Sequence, residues 1–408
     1  MTELGERFFR HEHARLVARL ARRAGAHRLE SIEDAAQSAL AAALEAWPRS
    51  GVPERPSAWL YRVALHHLAG ELRRRARHGE LDAMLASCEP INVEATEASL
   101  SAEVRDELLR MLFVCCDEAI PLESQLVLAL KVLCGLGVGE IAERLFTTEA
   151  NVYKRLARAR ERLRDSPSSV TDPGTELRPR LVGVQTILYA LFAEGHLSSH
   201  VEGAIRRDLC EDAIRLAHLL AEHDVGQTPE TYALIALMHL HLARLPARQD
   251  GSGGLLLLEE QDRSLWDRDH IATGLLWLSR SARGERFTRY HAEAAIAAEH
   301  CLAPSFRETR WERIVQSYEL LERVAPSSLH VLNRALALAE LRGPREGLAL
   351  LAGLSPPSWL SGSYQWSAVL SDLHRRAGDL PAALAHRDHA LASAPSPVLR
   401  DALARRLA

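Results

Sequence analysis

Apolar residues recur every three to four positions along most of the chain, the spacing of one helix face. In residues 32–47 this places Ile32, Ala36, Ala39, Leu40, Ala43, Leu44 and Trp47 on one side. Ser31 is positioned to cap that helix, with Asp34 three residues on. Pro48, Gly51, Pro53 and Pro56 then break the pattern. A second helix over 57–77 turns Trp59, Leu60, Val63, Ala64 and Leu68 inward and ends in Arg73, Arg74, Arg75 and Arg77.

Residues 79–104 are acidic, weakly periodic and interrupted by Pro90, which reads as a linker. From 105 the helical period resumes in four segments: DELLRMLFVCC, ESQLVLALKVLCG, VGEIAERLF and TEANVYKRLARARERLR. SPSSVTDPGT at 166–175 is a second linker by composition. The remainder is a series of helices, interrupted at 247–266, where Gly-Ser-Gly-Gly forms a loop and four leucines suggest a short extended segment. Near the end, ERIVQSYELLERVAP and PAALAHRDHALASAP share small and apolar residues at helical spacing, a mid-helix ring (Tyr318, His386) and a closing proline. Pro326, Pro356 and Pro395 are 30 and 39 residues apart, bracketing the ~34-residue tetratricopeptide period. Ala377-Gly378-Asp379 resembles the turn inside such a unit. The expected fold is all-α. It divides into a helical bundle at 1–80, an acidic linker at 81–104, a helix-turn-helix unit at 105–165, a linker at 166–175 and a helical tetratricopeptide-like array at 176–408.

With 408 residues, 47 % hydrophobic and 25 % charged, the composition is that of a globular protein and excludes a disordered chain or a fibre. No apolar run approaches the ~20 residues of a membrane span, and the N-terminal residues lack the apolar core of a secretory signal, so the expected location is the cytoplasm. Six cysteines, at 88, 115, 116, 134, 210 and 301, form no C-x-x-C pair; they read as reduced, mostly buried thiols. Lys131 and Lys154 are the only lysines, so 48 of 50 cationic residues are arginine. That bias reflects GC-rich coding, and an arginine cluster alone is no evidence of a site.

Charge is unevenly placed. Residues 1–80 carry +4, 81–128 carry −8, 129–165 carry +3 and 176–408 carry −2. Two small basic units therefore flank an acidic connector, which suggests a polyanion partner. Nucleotide-binding, metalloprotease and hydrolase signatures are all missing. The 19 histidines include close pairs but none with a carboxylate and cysteine set at metal-ligand spacing. No catalysis, metal or cofactor is expected.

Residues 137–164 carry the functional signal. Val138, Ile141, Ala142 and Leu145 form the apolar face of a short helix, Phe146-Thr147-Thr148 a turn, and Val152 and Leu156 the inner face of a second helix. That is helix-turn-helix grammar, in which the second helix presents polar residues to the major groove. Thr148, Asn151, Lys154, Arg155 and Arg158 are its candidate DNA contacts; arginine and lysine suit phosphate or guanine, and asparagine suits adenine. In the first unit, Trp59 beside Arg62, His66, Arg73 and Arg74 suits stacking of unpaired bases with cations on the backbone. Trp59 and Leu60 suit a core equally well.

Together the two units resemble the extracytoplasmic-function sigma factors of the sigma-70 family. The resemblance to region 2 rests on Ile32-Glu33-Asp34-Ala35-Ala36-Gln37, Trp47-Pro48, Pro56-Ser57-Ala58-Trp59-Leu60 and Leu72-Arg73-Arg74-Arg75. The resemblance to region 4 rests on Glu140-Ile141-Ala142 and the run Asn151 to Arg160. The remainder is similar to the subgroup with a long tetratricopeptide-like extension, through Leu191-Phe192-Ala193-Glu194-Gly195, Leu209 to Leu216, Leu258 to Asp267 and Leu332-Asn333-Arg334-Ala335. The resemblance implies core RNA polymerase and promoter DNA as partners. Asp34 and Gln37 would face the β′ clamp. Trp59, Arg62, His66, Arg73 and Arg74 would lie near the melted −10 strand. Thr148, Asn151, Lys154, Arg155 and Arg158 would meet the −35 duplex, with region 4 also touching the β flap.

Two modest heads on a flexible tether gain by avidity, and about 25 residues span roughly 25–30 Å as a coil. The extension is expected to regulate in cis, with a concave face for a protein or peptide partner. Its polar block Glu259, Gln261, Asp262, Arg263, Trp266, Asp267 and Arg268 reads as a salt-bridged domain seam. The alternative is a one-component helix-turn-helix regulator whose C-terminal part senses a ligand.

Overall fold

A computed structural model describes residues 3–75, 107–145, 147–165, 177–196, 207–249, 256–394 and 397–407. These residues are helices and the turns between them, as the all-α expectation required. Both expected linkers, Cys88, Phe146 and the Gly-Ser-Gly-Gly loop lie outside the described residues. The chain divides into two compact units, residues 1–191 and 192–408.

In the first unit, α1 (Glu3–Ala24), α2 (Leu29–Ser50) and α3 (Pro56–Arg75) form a bundle. Its core is Leu16, Val17 and Leu20 from α1, Ile32, Ala36, Ala39 and Ala43 from α2, and Leu60, Ala64 and Leu68 from α3, all nearly or wholly buried. The alanines on α2 are small enough to let its neighbours approach closely while still excluding water. The α2 face is narrower than its periodicity predicts: Leu44 is 46 % exposed.

Ser31 is not the cap. The helix starts at Leu29, directly after a 3₁₀ turn at Ala26–Arg28, and Arg28 occupies the N-cap position without capping the helix through its side chain. Ser31 is buried within the first turns, and its hydroxyl donates to Glu71 of α3 at 3.1 Å. Nor does Pro48 end the helix. It sits in the last turn, on the exposed side, so the one main-chain bond that its missing N–H forgoes is lost near the helix end. Gly51, at φ +80°, makes the stop.

Four more helices form a second bundle in this unit: α4 (107–115), α5 (Leu122–Val132), α6 (Val138–Arg144) and α7 (Glu149–Asp165). Leu112, Phe113, Val127, Leu128, Leu130 and Ile141 fill their core. Gly135 turns the chain after α5 at φ +67°, and a Cβ there would stand 3.0 Å from the Arg10 carbonyl oxygen. Glycine is thus required twice, by the backbone angle and by the approach of α1.

That approach continues through polar pairs. Arg10 of α1 meets Glu140 of α6 at 3.1 Å. Arg19 and Arg22 reach Glu107 at 3.7 and 3.2 Å. Arg160 of α7 donates to the buried Glu33 of α2 and lies 3.9 Å from Glu30. His13 and Lys131 are buried at 5 % and 8 % exposure.

The second unit includes α9 (Arg207–Glu222), α10 (Pro229–Leu242), α11 (Arg268–Ser281), α12 (Arg289–Leu302), α13 (Trp311–Val324), α14 (Ser328–Arg342), α15 (Pro344–Ala352), a one-turn α16 (Ser358–Ser361), α17 (Tyr364–Ala377), α18 (Leu380–Ala392) and α19 (Pro397–Arg406). The division between the units falls within α8 (Leu181–His196). Consecutive helices pack on one another, which buries α10 on nearly all sides. Ala377-Gly378-Asp379 is the tight turn of a helical hairpin: Gly378 adopts a left-handed φ of +88°, and Asp379 accepts from the Ala382 N–H at 3.3 Å. The two similar segments noted in the sequence are α13 and α18. Of the four leucines, Leu256 and Leu257 precede a turn that starts at Leu258, and no strand forms over 256–258. Cys115, Cys116, Cys134, Cys210 and Cys301 are free and buried.

Candidate nucleic-acid interface

Helix α7 is set by its inner face. Val152, Leu156, Ala159 and Leu163, spaced four, three and four apart, are buried on α5 and α6, which forces the intervening positions outward. Thr148, Lys154 and Arg158 are exposed. The other two candidates are engaged. Arg155 is drawn to Glu123 of α5 at 2.7 Å, and the Asn151 carboxamide donates to Thr147 at 2.7 Å. Thr148 also starts the helix, its hydroxyl oxygen accepting the Asn151 N–H at 3.2 Å. At the head of α6, Glu140 accepts the Gly137 N–H at 2.6 Å, so both helices of the motif are capped by their own residues.

Tyr153 was not among the sequence candidates, yet it is 58 % exposed beside Lys154. A large aromatic at an outward position of an otherwise basic helix was the available signal.

In α3, Trp59, Arg62, His66 and Arg73 fall on one face over about 21 Å of helix at 1.5 Å per residue. Arg62, His66, Arg73 and Arg74 are exposed. Trp59 is half-buried, its ring 5.7 Å edge-on from Trp47, which stacks in turn on Phe9 at 5.9 Å. Trp59 thus serves the core and the surface together. Asp34 and Gln37, one turn apart on α2, are exposed away from the Ile32–Ala36–Ala39 face.

Glu33, next to Asp34, was unassigned by the sequence. It is 1 % exposed, and burial raises its carboxyl above the usual range against the opposing pull of Arg160. A glutamate at a core position of an amphipathic helix calls for a cation, and Arg160 supplies it.

The block 259–268 lies in the second unit and makes no ion pair among the described residues. Asp262 accepts the Ser264 N–H at 2.8 Å, and Asp267 caps α11 through the Asp269 and His270 N–H groups, each at 3.0 Å. Gln261 is buried, its amide on the Leu256 carbonyl at 3.2 Å. Arg263 lies 4.6 Å from the centre of the buried Trp266 ring and donates to the His300 and Ala303 carbonyls at 2.6 and 2.7 Å. Glu259 and Arg268 are exposed. Caps, carbonyls and one aromatic ring satisfy what the sequence assigned to ion pairs. Among the described residues, no cluster of histidine, cysteine and carboxylate could hold a metal ion, and no helix is long and apolar enough to cross a membrane.

The family model for Sigma-70 region 2 matches residues 9–78, and that for Sigma-70 region 4 matches residues 110–163. A family of unknown function, DUF6596, matches residues 180–282. Over 369 residues the chain is 35 % identical to an uncharacterized protein of Rhizobium meliloti (strain 1021), a match that spans 90 % of this chain and 86 % of that protein. No solved structure matches. The two matched regions are the ones that contain the α3 and α7 faces, and regions 2 and 4 tie the chain to transcription initiation, with core RNA polymerase and promoter DNA as partners. The chain therefore belongs to the sigma-70 family, as a factor of the extracytoplasmic-function type in which regions 2 and 4 precede a long helical extension.

Proposed function

We propose that residues 1–80 engage the polymerase clamp through Asp34 and Gln37 and the melted −10 strand through Trp59, Arg62, His66, Arg73 and Arg74. Residues 105–165 then read the −35 duplex through Thr148, Asn151, Lys154, Arg155 and Arg158 and meet the β flap. The segments 81–104 and 166–175 are tethers, and residues 176–408 regulate the two heads in cis, in the cytoplasm. The observation that carries this reading is the pair of outward cationic faces, on α3 and α7, each backed by its own apolar core.

The closed arrangement of the heads adds a step. By their names the two promoter elements lie about 25 base pairs apart, roughly 85 Å of duplex at ~3.4 Å per pair. A structure in which Arg160 of one head touches Glu33 of the other cannot bridge that distance, so promoter engagement begins with their separation.

Run-off transcription with purified core polymerase tests the reading, full chain against a chain lacking residues 176–408. A sigma factor binds core enzyme and initiates from a defined start; binding of duplex without any affinity for core enzyme would instead mark a one-component regulator. Identical output and identical response from the two chains would remove the regulatory role of the extension.

A further inference from the structure

The second unit holds a groove of about 740 Å³, within the range of about 300–1,000 Å³ typical of ligand sites. One end is apolar and aromatic, formed by Leu257, Phe306, Trp311 and Tyr318. The other end is cationic. There Arg375, Arg376 and Arg406 share Asp372 at 2.9, 3.6 and 3.7 Å, and Arg376 also reaches Glu340. Three guanidinium groups thus answer to two carboxylates. Arg307 adds a fourth cation to the wall, and Glu259 a third anion, which leaves the groove with a net positive charge.

Its hydrogen-bonding groups are unspent in the same sense. The Trp311 indole N–H, the Tyr318 hydroxyl, the Asn333 carboxamide and the Arg307 guanidinium all line the groove, and none has a hydrogen-bond partner within the described residues. The buried Nδ1 of His300, in the same wall, is also unpaired. Trp311, Tyr318 and Asn333 are half-buried, where such groups are normally satisfied, and Arg307 is exposed. Behind His300, Arg263 and Arg244 approach the Trp266 ring at 4.6 and 5.4 Å, and neither makes an ion pair among the described residues.

We propose that this groove binds an extended peptide that carries carboxylates, with its acidic groups at Arg307 and the Arg375–Arg406 rim, a main-chain amide on Asn333 and an apolar side chain against Trp311 and Phe306. A carboxamide both donates and accepts, as a peptide bond requires, and the wall joins apolar to cationic surface along its length. A nucleic acid fits less well, because Asp372, Glu340 and Glu259 would oppose its phosphates. This deepens the reading of residues 176–408 as a regulatory module by naming the chemistry of its partner. Binding measured without polymerase stands or falls separately from any effect on transcription.

Fluorescence anisotropy of the full chain with fluorescein-labelled Ala-Leu-Ala-Glu-Glu-Asp tests it, beside the C-terminally amidated peptide and a version with lysine at the three acidic positions. The acidic peptide saturates, and the lysine peptide binds at least about tenfold more weakly. Loss of binding on amidation assigns the anion to the terminal carboxylate, and retention assigns it to side chains. Arg307→Ala and Asn333→Ala remove groups without internal partners, so the fold is kept, and each weakens binding by about tenfold. No saturable binding of either acidic peptide, equal binding of the lysine peptide, or unchanged affinity in both variants overturns the proposal.

Discussion

Arg160, on the helix expected to read duplex DNA, donates to Glu33, 127 positions earlier and immediately beside Asp34, the residue expected to face polymerase. One Glu33 oxygen takes that bond and the other has no partner. The pair is a buried carboxylate held by a single guanidinium whose side chain is 21 % exposed. Such a pair contributes little net stability, but removal of one partner is expensive. Its position between the two heads makes it a latch.

Arg160→Ala leaves Glu33 in a dry site without its cation. The expected result is a shift toward separated heads by about 2–3 kcal/mol, at or below the low end of the ~3–5 kcal/mol for a broken buried pair, because Glu33 can escape to water. Dyes on the exposed Glu45 and Glu161 positions will report a longer mean distance, and −35 duplex affinity will rise as the closed population falls. The Glu33→Gln and Arg160→Ala double-mutant cycle isolates the coupling. A distance unchanged in every variant would dismiss the latch.

Duplex binding separates the α7 residues by their present engagement. Lys154→Ala and Arg158→Ala each remove an exposed cation and are expected to lower the salt slope of binding by about one. Arg155→Ala costs less, since Glu123 already holds that guanidinium at 2.7 Å. Glu123→Ala releases it and tightens binding by no more than about fivefold, the worth of an exposed ion pair. Titrations of a −35 duplex at three salt concentrations decide between these ranks; equal effects from all three cations would contradict them.

Much of this was legible in the sequence because it is local. The helix-turn-helix follows from Ile141, Val152 and Leu156 at a fixed spacing, and the Gly378 turn from its flanking periodicities. Leu156→Ala, at a site 1 % exposed, is accordingly expected to cost about 2–5 kcal/mol and to abolish duplex binding, with loss of the region 4 helices visible by hydrogen exchange. Long-range pairing was not legible. Ser31 has the chemistry of a cap, but Glu71, 40 residues on, is its partner. The acids of 259–268 have the chemistry of salt bridges, yet Asp262 and Asp267 are spent on backbone N–H groups two and three residues away. Glu33 among alanines was the one long-range signal available, since a charge in an apolar stripe requires an opposite charge from elsewhere.

Acid will act on the same interface through His13. Burial, aided by the Lys131 ammonium, holds the imidazole down at about 4 from its ordinary 6.5, and neither ring nitrogen has a partner. The folded form therefore refuses a proton that the unfolded form accepts. The stability it contributes is complete above pH 6.5 and declines as pH falls toward 4, by about 1.4 kcal/mol per pH unit. His13→Leu removes this dependence. Between pH 7 and pH 5 the opening free energy of the α1 amides, read by hydrogen exchange, should fall by about 2 kcal/mol more in the parent chain than in the variant. Glu33, whose carboxyl is raised, shifts stability the opposite way as pH falls, but it is present in both chains and cancels in the difference. Parallel pH profiles for the two chains would show that His13 titrates freely, and that the contact between the heads is already open in solution.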